Sequence, residues 1–72
     1  TSASSPPLTA VLLNLSATHV QLGEAEHAVR YAAAASAVEP SSSKAAFRAA
    51  LALHKLGKPR AAQAFMHQAI RL

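Results

Sequence analysis

The chain has no cysteine, only two glycines, only three acidic residues and an aromatic share of 4% in 72 residues, and each shortage excludes something. Without cysteine there is no disulfide scaffold, no thiolate zinc site and no cysteine nucleophile, so an intracellular, cytoplasmic setting is expected, with the nucleus open as well. No apolar run approaches the roughly 20 residues that cross a bilayer. Thr1–Pro7 has neither the basic region nor the hydrophobic stretch of a secretory leader, so a soluble chain with no membrane partner is expected. The shortage of acid leaves seven Lys and Arg against three Asp and Glu, a net charge of +4, which favours an anionic partner or an anionic patch on one. With so few aromatics, any core must come from helices that approach closely over small residues.

What is present is alanine, the strongest helix former, in a chain that is 51% hydrophobic. The punctuation is that of an all-α protein. Residues 1–7 read as a disordered lead-in, with Ser5 able to cap a helix that has Pro6 in its first turn. Leu8, Leu12, Leu15, His19 and Leu22 recur at spacings of three and four and predict a first helix that stops at Leu22-Gly23. A second runs from about Glu24 to Val38, with Glu24 and Glu26 at the positive end of its dipole, and Pro40 ends it. Ser41, Ser42 and Ser43 supply a turn and a cap for a third, from about Lys44 to Leu56. After Gly57, Pro59 opens a fourth that continues to the chain end.

The two halves superimpose at an offset of 34 residues. Leu22-Gly23 maps onto Leu56-Gly57, Ala28 onto Ala62, Tyr31 onto Phe65 and Ala35 onto Ala69. Connections of two or three residues force consecutive helices antiparallel, and the paired alanines let the second helix of each hairpin lie close against the first. Thr9–Ser42, with its leucine, Leu-Gly pair, central Ala28, later Ala35 and closing Pro40, resembles a complete tetratricopeptide repeat, and Ser43–Leu72 resembles a second that ends before the closing proline. The period agrees with that family's. The resemblance implies two tandem antiparallel hairpins of a right-handed α-α superhelix, residues 8–42 and 43–72, forming one domain and a piece of a longer array. The family's usual first-helix aromatics are replaced by Leu12 and His19 in one unit and by Ala46 and Leu53 in the other, which thins the packing.

In stacked hairpins the first helix of each unit lines the concave face. Lys44 and Arg48, four apart, lie one turn above the other, so both cations can reach one carboxylate or two adjacent ones. Asn14 is the equivalent of Arg48 in the first unit and offers an amide toward the same point. The set Asn14, Lys44 and Arg48 resembles the carboxylate clamp of co-chaperone tetratricopeptide domains. That resemblance implies a protein-binding module whose ligand is the acidic C-terminal tail of a heat-shock chaperone. In the family, two further clamp residues come from an earlier repeat, which this chain lacks. Phe47 and Leu51 stand near the groove, where they either receive an apolar side chain of the peptide or pack against a neighbouring helix. His54 and Lys55 either extend the basic face or are ordinary surface residues.

Other chemistry is not expected. His19, His27, His54 and His67 are not paired at metal-ligand spacing and have no carboxylate cluster beside them. His19 fills an inter-helix position usually held by an aromatic. The serines fall in caps and tails, without a nucleophile elbow or a glycine-rich phosphate loop. No enzyme activity and no cofactor are therefore expected. The basic stretch from His54 to Arg60 is a weak nucleic-acid signal, because it has no interleaved aromatics and is split between a helix end and a turn. Two repeats leave apolar end faces uncovered where arrays normally need about three units and a cap. Self-association through those ends, or marginal stability, is expected, and an architectural role without a carboxylate ligand is the alternative to peptide binding.

Overall fold

The structure, a computed structural model, describes residues 7–71; the cap expected at Ser5 and Pro6 lies outside them. Four helices follow in order: α1 (Leu8–Gln21), α2 (Ala25–Val38), α3 (Ser43–Leu56) and α4 (Pro59–Arg71). There is no strand among the described residues. α1 packs on α2 and α3 on α4 to make two hairpins, and α3 lies in the joint between them, against α2 and, less extensively, α1. The expected all-α pair of hairpins is the observed fold. No helix among the described residues is long and apolar enough to cross a membrane.

The helix ends follow from the punctuation, and the two hairpins use the same device. At the end of α1 the Gly23 N–H donates to the Val20 carbonyl (3.0 Å) and the Glu24 N–H to His19 (2.8 Å); at the end of α3 the Gly57 N–H donates to His54 (3.1 Å) and the Lys58 N–H to Leu53 (2.9 Å). This crossed pair of bonds needs a left-handed residue at its centre, and Gly23 and Gly57 sit at φ +78° and +85°, where a side chain would be strained. The helix starts differ. Ser42 caps α3, its Oγ accepting from the Ala45 N–H at 3.1 Å. Pro7, extended at φ −62° and ψ 146°, precedes α1 with no side-chain cap. Glu24 stands at the N-cap of α2, just before the helix, and Glu26 within its first turn.

Alanine makes the core. Among the described residues, every buried apolar side chain apart from Leu13 and Leu53 is Ala: 28, 32 and 35 on α2, 45, 46, 49, 50 and 52 on α3, and Ala62 on α4. Such residues bury little area each but let helix axes come close. α3 alone is buried on several sides, as the helix in the joint must be.

On α1 the buried face is not the leucine stripe whose spacing marks the helix. Thr9, Leu13 and Ser16 are buried, while Leu8, Leu15 and Leu22 are exposed and Leu12 is half-buried. The reason is that α1 is apolar on nearly every side, so periodicity does not single out one face. The choice falls to Ser16, the side small enough to meet α2 and able to donate its hydroxyl to the Ala28 carbonyl at 2.8 Å.

Candidate functional site

Asn14 from α1 and Lys44 and Arg48 from α3 line one hollow of about 250 Å³, closed at its other edges by Pro7, Thr9, Leu13, Glu39 and Ser42 among others. The position follows from the fold. α3 begins at the end of the Pro40–Ser42 turn, so its first two turns run beside the start of α1, and residues 44 and 48, one turn apart, both face the cleft. The size suits one terminal residue or one carboxylate-bearing side chain rather than a ligand of the usual 300–1,000 Å³ pocket class.

The electrostatics of the hollow are mostly positive. Neither Lys44 nor Arg48 makes an ion pair among the described residues, where the one side-chain pair is His19 with Glu24. The N-terminus of α3 opens on the same space, adding the positive end of a helix dipole. Glu39, on the wall, is the exception to the positive lining. Sequence reasoning missed Glu39, since it sits in the turn after α2, where no periodic rule gives a direction. Ser42 was read only as a cap; its Oγ is committed to that role by the bond from Ala45.

A second hollow of about 230 Å³ continues the groove between α1 and α3, lined by Ser16, Ala17, Val20 and Gln21 on one side and Arg48, Leu51 and Lys55 on the other. Ala17 and Arg48 border both hollows. The groove therefore carries three cations in line, Lys44, Arg48 and Lys55, with Leu51 as its apolar floor on the α3 side.

Phe47 and His54 do not join this groove. Phe47 lines an open hollow with Met66, Ala69 and Ile70 of α4, and His54 one with Met66, His67 and Ile70. At about 100° per residue, Phe47 falls to one flank of Lys44 and Arg48 to the other, which turns Phe47 and His54 toward α4. Of the six residues expected to touch a peptide, Asn14, Lys44, Arg48 and Leu51 share the groove; Phe47 and His54 face elsewhere. The basic stretch is likewise divided: Lys55 faces α1, His54 faces α4, and Lys58 and Arg60 are exposed at the turn and the start of α4.

The histidines are structural where they touch anything. The His19 ring stacks on His27 (centroids 5.3 Å apart) and Tyr31 (5.2 Å) of α2, and its Nδ1 donates to the Glu24 carboxylate at 2.7 Å. His19 thus takes the inter-helix place expected of an aromatic. No group of three or more His, Cys, Asp or Glu side chains among the described residues is placed to hold a metal.

No protein-family model matches this chain, and neither the curated proteins nor the solved structures hold a detectable relative of it.

Proposed function

We propose that this chain is a tetratricopeptide-type binding module of the cytoplasm that holds an acidic peptide by its free C-terminal carboxylate, without performing chemistry on it. The observation that carries the reading is the convergence of Asn14, Lys44 and Arg48 on one hollow in which neither cation is paired among the described residues. Two cations and an amide donor lining one hollow of this size supply the donors that a carboxylate's acceptors need. The neighbouring Arg48–Leu51–Lys55 hollow then takes the preceding residues of the peptide, one of them acidic. The acidic tail of a heat-shock chaperone has this chemistry and is the ligand that the resemblance of these three residues implies. A nucleic acid is less well served, because the basic residues of positions 54–60 point in different directions and lack stacking partners.

Calorimetric titration of an acidic peptide with a free C-terminus against its C-terminal amide tests the reading. The free acid is expected to bind more tightly, and Lys44→Ala or Arg48→Ala to abolish that preference, each at a cost of about 1.5–3 kcal/mol, as for hydrogen bonds to charged groups. Equal binding of the acid and the amide by the unaltered chain defeats the proposal.

A further inference from the structure

The 34-residue offset lets every surface of the second hairpin be compared with its counterpart in the first. At the joint between the hairpins, Ala45 of α3 is fully buried and packs with Leu13 and Ala35 of the first hairpin. The counterparts of Leu13 and Ala35 in the second hairpin are Phe47 and Ala69. These two, with Ser43, Lys44, Met66 and Ile70, line an open hollow of about 440 Å³. In the first hairpin the equivalents of five of those six residues, Thr9, Leu13, Ala32, Ala35 and Ser36, are buried. The second hairpin therefore presents, open, the same socket that Ala45 fills in the first; Phe47 is 44% and Ile70 75% exposed.

The plug for that socket is also on the chain. The counterparts of Ala45 and Ala49, both fully buried, are Val11 and Leu15 on α1, each 37% exposed. They stand beside exposed Leu8 and Leu22, on a helix with no Lys, Arg, Asp or Glu. So one end of the molecule carries an apolar ridge and the other an apolar socket, and these are the repeat equivalents of two surfaces already packed together inside it. Both are bulkier than their internal counterparts, with Val for Ala on the ridge and Phe and Met for Leu and Ala in the socket. Larger contact residues hold helix axes farther apart.

We propose that a second copy of this chain docks head to tail, with the Val11–Leu15 ridge of one copy in the Phe47–Met66–Ile70 socket of the next. The contact joins two different surfaces, so each copy added leaves a socket and a ridge free, and the assembly grows as an open row rather than closing at a dimer. The proposal rests on the end faces; Lys44 is the one residue that borders both the socket and the groove, and no variant used below alters it.

Sedimentation of the chain across micromolar to millimolar concentration tests it, together with two variants whose helicity is checked by circular dichroism: a ridge variant (Val11→Glu with Leu15→Glu) and a socket variant (Phe47→Glu with Ile70→Glu). The average mass of the unaltered chain should rise with concentration past twice the monomer's 7.4 kDa. Each variant alone should stay monomeric, and their equimolar mixture should form a dimer and stop there, since only one intact ridge and one intact socket are available to each pair. A monomer at every concentration, a plateau at the dimer for the unaltered chain, or self-association of either variant alone overturns the proposal. Because the chain has no cysteine, a mixture of Val11→Cys and Phe47→Cys chains gives a readout that does not depend on the glutamate variants folding. Oxidation should yield the mixed disulfide well above either homodimer, and a statistical mixture counts against head-to-tail docking.

Discussion

In the first hairpin Ser16 and His19 face α2; at the equivalent places in the second hairpin Ala50 and Leu53 face α4. The first pair of helices is therefore tied by directional contacts: the Ser16 hydroxyl on the Ala28 carbonyl, the His19 ring on His27 and Tyr31, and the His19–Glu24 pair. Among the described residues the second pair has no side-chain hydrogen bond between its helices and is held by apolar contact alone. The same order of helix, left-handed glycine turn and helix is thus reached by two different chemistries. The difference teaches that the hairpin is specified by close approach over alanine and by its glycine turn, and that the groups added around them set how each half responds to change.

The largest difference is expected at the 19/53 pair. Leu53 is buried, and Leu53→Ala should leave a cavity costing about 2–5 kcal/mol. His19→Ala removes a half-buried ring whose carboxylate partner is exposed; surface pairs of that kind contribute up to about 1 kcal/mol, and the stacks add a comparable amount. Thermal unfolding checks this directly, because each kcal/mol moves the midpoint of so small a domain by roughly 4–8 °C. Equal losses at the two positions would break the comparison.

The 28/62 pair comes next. Ala28 is fully buried between α1 and α2, whereas Ala62, also buried, borders the open hollow with His54, Met66 and Ile70. Ala28→Leu must force the helices apart, an overpacking that costs about 1–3 kcal/mol. Ala62→Leu has open space beside it and should cost less. Urea unfolding in dilute solution measures both, and a larger loss at Ala62 would mean that the open hollow is already closed by something in solution.

Much of this was legible from the residues. Gly23, Gly57, Pro40 and Pro59 mark the helix ends to within a residue or two, because each acts through its own backbone dihedral and not through distant contacts. The Asn14–Lys44–Arg48 hollow was legible because it depends only on the repeat offset and the spacing of four along one helix. Directions that depend on which helix comes to lie beside which were harder. Spacing alone leaves Phe47 between meeting a peptide and packing on a neighbouring helix, and His54 between the basic face and ordinary surface; both lie on the flank that faces α4. The buried side of α1 is not legible for a related reason: with leucine, valine or alanine on nearly all sides, hydrophobicity is uninformative there, and a single small polar residue decides the face. Glu39 escaped because a turn has no period.

Ser16 is the smallest lever on the comparison and the most direct, since Ser16→Ala converts the first hairpin to the residue that the second already has at Ala50. The Ser16 side chain is almost fully buried and its hydroxyl has one partner, the Ala28 carbonyl. Removing it exchanges a net hydrogen bond for a methyl of nearly the same size. The carbonyl keeps its own helical partner and is not orphaned, so the loss should lie in the range of about 0.5–1.5 kcal/mol found for a typical intramolecular bond. The reciprocal change, Ala50→Ser, puts a hydroxyl beside the equivalent Ala62 carbonyl. If close approach over alanine sets the geometry of both hairpins, that hydroxyl finds the same acceptor and Ala50→Ser is nearly neutral. A cost above that of Ser16→Ala, in the same unfolding experiment, would mean that the second hairpin packs at a different distance and that the equivalence holds for the turns but not for the helix pairs.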